Sequence, residues 1–218
     1  GTGLSNNPRG LAYFSDTIGS NKYLYTVDGT TLKYLSGSTW TGVTNSGSVT
    51  FDSSAQINFT QAKGAMYVMD GTNAIAKVAS GGSGGTLSRN GHAPKAKFSI
   101  FYNGRHYAAG VDGQPNRLYI SKSSDASEFT VTTGGTQPQP DNSNDADSGG
   151  PNVPGATAFS ADATGNLANA QVVDINKFDG DKITGLAKFQ DVLVIFKERS
   201  IFQLTLDSTG LPVITAVS

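Results

Sequence analysis

Residues 179–206 read DGDKITGLAKFQDVLVIFKERSIFQLTL, in which two apolar runs, LVIF (193–196) and IFQL (201–204), are split only by the polar KERS (197–200). Two short apolar runs around a polar tip describe a β-hairpin. The fold depends on whether this hairpin stands alone or is one copy of a repeating unit.

The layout recurs upstream. LYTVDG (24–29) is echoed by MYVMDG (66–71), and a third strand-and-turn unit, HYAAGVDG, follows at 106–113, giving steps of roughly 40 residues. LVIF comes close to two such steps later. After each turn lies another strand candidate: TLKYL (31–35), AIAKV (74–78), RLYIS (117–121) and IFQLT (201–205). Before each lies one more: GLAYF (10–14), AQINFT (55–60), AKFSIFY (96–102) and ITGLAKF (183–189), with a weaker fourth strand such as SVTF (48–51). Four short strands in about 40 to 45 residues make one blade, so the sequence predicts an all-β fold: a β-propeller or propeller-like array with four visible units. One small twisted sheet cannot bury both faces alone, and stacking blades covers them. The unbroken runs LVIF and SIFY (99–102) fit strands covered on both sides rather than strands with one wet face.

Composition agrees. Of 218 residues, 37% are apolar, 15% are charged and 27 are Gly, a balance of many turns and short elements that leaves little for long helices. Net charge is -1, which gives no broad attraction to nucleic acid or to an anionic membrane surface. No cysteine is present, so disulfides, thiolate metal sites and cysteine nucleophiles are excluded. No apolar stretch approaches the ~20 residues a membrane-crossing helix needs. The chain reads as a single domain, 1–218. It starts at Gly1 without Met and stops at Ser218 just after the strand-like PVITAV, from which we expect it to be part of something longer. Residues 122–182 occupy the room of a further unit, yet 131–170 is dominated by Gly, Pro, Asn, Asp and Ser and reads as a long inserted loop, a functional, linker or assembly segment.

Candidate chemistry is thin. GGSGG (81–85) contains the G-x-S-x-G pattern around Ser83, but no helical period follows to present a nucleophile, so it reads as a flexible turn. His92 and His106 have no paired spacing and read as surface or interface histidines rather than metal ligands or bases. Asp141, Ser143, Asp145 and Asp147 alternate as in a calcium loop, but Asn152 stands where the bidentate Glu belongs, so the 139–149 stretch reads as a solvated acidic loop with calcium as the alternative. Asp179 and Asp181 flank Gly180 and read as a turn rather than an acid/base pair. Lys197, Glu198 and Arg199 read as a charged hairpin tip, alternatively an inter-subunit ion-pair contact. Trp40 reads as packing between blades, with stacking on a sugar ring as the alternative. Asn58-Phe59-Thr60 matches a glycosylation sequon but falls in a strand candidate. No cofactor is implied.

Three tracts carry a resemblance: PKAKFSIFYNGRHYAAG (94–110), NRLYISKSSDASEFT (116–130) and DGDKITGLAKFQDVLVIFKERSIFQL (179–204). With R-L-Y-I-S followed by S-x-x-x-x-F-T, then D-G-D-x-I-T-G-L and I-F-K-E-R-S-I, the chain resembles β-propeller virion proteins of tailed bacteriophages, of the tail nozzle, hub and tail-associated type. RGLAYF (9–14) and STW (38–40) extend the likeness, and 131–170 departs from it. The resemblance implies a non-enzymatic building block of a phage tail, located in the virion, whose partners are copies of itself and other virion proteins. No motif in it is catalytic. Two alternatives are retained: a lectin-like adhesin that holds a host glycan or receptor through Trp40, Tyr102 and Tyr107, and a polysaccharide-degrading propeller using carboxylates of 139–182.

Overall fold

The computed structural model describes residues 2–16, 21–80, 84–89, 93–129, 171–176, 180–206 and 212–217. Among the described residues there are strands and turns but no helix. The strands make four sheets, taken in chain order. Sheet 1 is β1 (Pro8–Ser15), β2 (Lys22–Asp28), β3 (Thr31–Ser36) and β4 (Thr39–Gly42). Sheet 2 begins with the short β5 (Thr44–Asn45), which pairs in parallel with the far edge of a meander of β6 (Asn58–Ala62), β7 (Ala65–Met69), β8 (Ala76–Ala79) and β9 (Thr86–Arg89). Sheet 3 is β10 (Phe98–Tyr102), β11 (Arg105–Val111), β12 (Gln114–Ile120) and β13 (Gln171–Asp174). Sheet 4 is β14 (Ile183–Phe189), β15 (Val192–Lys197), β16 (Ile201–Leu206) and β17 (Pro212–Ala216).

The repeat therefore exists as four antiparallel meanders, and the opening hairpin is β15–β16 of the fourth. Lys197 N–H donates to Ser200 O at 2.9 Å to close its turn. The equivalent hairpin of sheet 1 closes on Gly29 and Thr30 with Asp28 opposite Thr31, a two-residue turn that needs the positive φ of 63° found at Gly29. Two details of the sequence reading are corrected. SVTF (48–51) is not a strand; Val49 and Phe51, 4% and 2% exposed, plug the core between sheets 1 and 2, while the last strands of the four meanders are β4, β9, β13 and β17. Both β9 (TLSR) and β13 (QVVD) lie in stretches the sequence presents as loop, because neither has more than two apolar residues to reveal a pattern.

Three cores hold the sheets together. Phe14, Tyr25, Val27, Leu32 and Tyr34 of sheet 1 pack on Met66, Val68, Ala76, Val78 and Leu87 of sheet 2. The other face of sheet 2, with Ala65, Tyr67 and Met69, meets Ala108, Val111 and Tyr119 of sheet 3. The far face of sheet 3, with Tyr107, Ala109, Leu118 and Ile120, meets Leu193, Ile195 and Leu204 of sheet 4. Successive residues of β7 and β12 thus enter different cores, which is why both strands read as unbroken apolar runs. Each sheet's first strand lies beside the next one's, β1 to β6 to β10 to β14. Here side chains bond across the gap: Asn58 Nδ2 donates to Lys97 O at 2.8 Å and Thr60 Oγ1 to Ser99 O at 2.8 Å.

Candidate functional site

The sequence-predicted residues separate into two groups. Ser83, His92, Asp141, Ser143, Asp145, Asp147, Asn152, Asp179 and the 131–170 segment lie outside the described residues. The rest do not form a constellation. Tyr102 and Tyr107 are 5% and 0% exposed between sheets 3 and 4, with ring centroids 5.8 Å apart, and burial pushes the Tyr107 phenol up to about 12. They cannot offer a ring face to a sugar, and Trp40 stands alone on β4 of sheet 1, partly exposed and outside the core between sheets 1 and 2. Trp40 takes no part in the packing between sheets 1 and 2. Asn58 is occupied by its bond to Lys97 O.

His106 is the clearest correction, since it is 0% exposed rather than a surface residue. Its ring lies 4.6 Å from that of Tyr67 and 5.5 Å from that of Phe129. Nδ1 is 3.0 Å from Ala126 O, an acceptor only, so Nδ1 carries the proton and donates. That leaves Nε2 to accept from Ser99 Oγ at 2.7 Å. Burial lowers the His106 pKa to about 4, so the ring is neutral near pH 7. A hydroxyl hydrogen-bonded to an imidazole is the form of an activated nucleophile. Here the imidazole has no exposed edge from which to pass a proton to a leaving group, so the pair serves as a buried polar link between β10 and β11. The sequence carried no signal for Ser99, whose partner is placed by the β10–β11 register.

The acidic residues act as clasps. Asp28, 1% exposed, accepts Ser5 N–H at 3.0 Å, Asn6 N–H at 2.9 Å and Lys33 Nζ at 2.7 Å. Burial alone would raise its pKa, but these donors hold it below the ordinary carboxylate value. Asp70 accepts Asp52 N–H at 3.0 Å, Thr72 N–H at 3.0 Å and Asn73 N–H at 2.7 Å. Asp181 receives Arg199 N–H at 3.0 Å and Ser200 Oγ at 2.7 Å, so it pins the KERS turn. That turn is not a freely solvated tip: Lys197 is 5% exposed and its Nζ donates to Ile175 O at 2.9 Å. A cleft of about 380 Å³ opens between the β11–β12 turn and β14, but its charges pair off, Lys97 with Asp112 at 2.5 Å and Lys182 with Glu198 at 2.9 Å.

The described residues also leave apolar surface uncovered. Strand alternation and the β14–β15–β16–β17 register put Ala187, Phe189, Val192, Val194, Phe196, Ile201 and Val213 on the face of sheet 4 that points away from sheet 3. Phe189 is 66% exposed, Phe196 38%, Ile201 40% and Val213 42%. LVIF, read as covered on both sides, is covered on one. At the opposite end, the face of sheet 1 turned away from sheet 2 carries Leu11 and Tyr13, 65% and 60% exposed, with Leu24 opposite Tyr13 and Trp40 opposite Leu35. Contiguous apolar surface of this kind marks an interaction face.

No protein-family model and no curated protein matches the chain. Among solved structures it is similar to a streptogramin B lyase, with a TM-score of 0.46 and 10% identity, covering 97% of this chain and 55% of that one. A computationally designed protein matches with a TM-score of 0.40 and 8% identity, covering 100% of this chain and 97% of that one. A chain of a mitotic checkpoint complex matches with a TM-score of 0.40 and 10% identity, covering 95% of this chain and 64% of that one. The chain thus spans 55% of the length of the lyase it matches.

Proposed function

We propose that this chain is a structural component of a phage-like virion, in the tail or attached to it, built on propeller-type stacking of sheets and acting through contacts between subunits rather than through chemistry. The observation that carries the reading is the pair of open apolar faces, one on sheet 1 and one on sheet 4, at the two ends of a stack whose inner faces are all covered. Faces of this kind are buried by packing on neighbouring sheets, which a subunit held in an assembly supplies. The motif resemblance in 94–130 and 179–204 supplies the kind of particle. The adhesin alternative would rest on Trp40 alone, because Tyr102 and Tyr107 are buried.

The test is location. Particles from cells carrying the gene are purified on a density gradient, and the chain is traced by antibody and by electron microscopy of intact particles. Co-sedimentation with label at the tail is expected. A chain found only in the soluble fraction, with none in purified particles, rejects the reading.

A further inference from the structure

We propose that the cleft between sheets 3 and 4 binds a small apolar carboxylate, a molecule that joins one aromatic ring or branched chain to a single anionic head. This goes beyond the assembly reading and does not depend on it.

The cleft exists because one junction departs from the repeat. In LYTVDG, MYVMDG and HYAAGVDG a glycine follows the aspartate at the same place in each sheet: Gly29, Gly71 and Gly113. Over two of these a side chain closes. A Cβ on Gly29 would stand 3.0 Å from Asn6 Nδ2, and one on Gly71 would stand 2.6 Å from Lys97 Cγ. Lys97 comes immediately before β10, and its stem crosses Gly71 of the preceding sheet while its amine pairs with Asp112. Lys182 holds the same place before β14, but its amine pairs with Glu198 at 2.9 Å and its stem does not cover Gly113. Among the described residues nothing comes within 4 Å of a Cβ placed on Gly113. The space left is about 380 Å³, within the range of small-molecule pockets.

The lining sets the class of ligand. Val111 and Ile183, 4% and 3% exposed, make an apolar floor with Phe98 and Pro115. A ring or branched chain laid there leaves water without burying a polar group. The charged groups of the lining are Lys97, Asp112 and Lys182, two ammonium groups against one carboxylate. Both lysines are in ion pairs, but the side chains of those pairs are 47% and 80% exposed, and 60% and 42% exposed. Solvent screens such pairs, so a bound carboxylate takes the place of Asp112 or Glu198 at little cost. A cationic head would meet the surplus positive charge, and a neutral one would leave it unused.

The experiment titrates the isotope-labelled 218-residue chain with phenylacetate, phenylacetamide and phenethylammonium, which share a ring and differ in charge, and follows the amide NMR shifts. Phenylacetate is expected to give saturable shifts at Gly110, Gly113, Lys182 and Thr184, with phenylacetamide about fivefold weaker and phenethylammonium weaker still. Two variants at exposed positions, each checked for an unchanged circular dichroism spectrum, locate the binding. Lys182→Ala should bring phenylacetate down to the affinity of phenylacetamide and leave phenylacetamide itself unchanged. Thr184→Trp, which fills the cleft, should remove both. Shifts that never saturate, shifts confined to the open faces around Tyr13 and Phe189, equal affinity for all three probes, or phenylacetate binding untouched by Lys182→Ala each overturn the proposal. The readout concerns the isolated chain, so whether the chain is found in particles has no bearing on it.

Discussion

His106 shows what a buried polar residue costs and how it is offset. Both ring nitrogens are matched, Nδ1 to Ala126 O and Nε2 to Ser99 Oγ, but only while the ring is neutral. Burial lowers its pKa to about 4, against about 6.5 in the unfolded chain. The unfolded state therefore binds the proton first as pH falls, so this contribution is fully present above pH about 6.5 and is lost progressively down to about 4, on the order of 3 kcal/mol in all. Urea unfolding at pH 7 and pH 4.5 should show the unmodified chain losing about 2 kcal/mol more than His106→Gln does. Equal losses in the two proteins would remove the assigned role. Asp28 and Asp125 are held below their ordinary values, so they titrate lower in pH and weigh alike on both proteins.

At the scale of elements, the question is how strands far apart in sequence find their sheet. β13 joins β12 after a separation no local turn can bridge, and Arg117 Nε bonds Asp174 Oδ1 at 2.9 Å across that pair, with side chains only 9% and 12% exposed. Removing the carboxylate with Asp174→Ala leaves a buried guanidinium deprived of it and should cost about 3 kcal/mol in denaturant unfolding. Lys182→Ala breaks an ion pair whose side chains are 60% and 42% exposed, where solvent screens the attraction, and should leave the unfolding midpoint nearly unchanged. A loss for Asp174→Ala no larger than for Lys182→Ala would show that β13 is held by its backbone ladder alone. Close packing sets another limit at the end of GGSGG: a Cβ on Gly84, where φ is +80°, would stand 2.3 Å from the Tyr34 ring, and its carbonyl accepts the Tyr25 hydroxyl at 2.8 Å. A stretch that reads as a flexible turn ends in a tightly packed residue.

For the whole molecule, coverage of the sheets grades its stability. Sheets 2 and 3 have a core on each face, and sheets 1 and 4 on one. Hydrogen exchange should be slowest in β7 and β11, where at most one residue escapes full burial, and fastest in β4 and β17 of the end sheets, where none is fully buried. Uniform protection across all four sheets would contradict a stack with open ends. The same grading explains why the repeat was legible and its boundary was not. LVIF and MYVM look alike in sequence because both suit strands with two apolar faces, yet β7 is buried throughout while Phe196 of β15 stays 38% exposed.

The sequence alone determined the all-β class, the repeat of roughly 40 residues and most of the strands in it, because period-two burial and glycine-bearing turns are local properties that a short window reveals. Only the tertiary structure decided that His106 and Lys197 are buried, that Tyr102 and Tyr107 are unavailable, that β9 and β13 complete their sheets, and which two faces stay open. Those outcomes depend on what lies across a sheet-to-sheet gap, and a residue's neighbours there are set by the stacking of whole sheets rather than by the residues beside it in the chain.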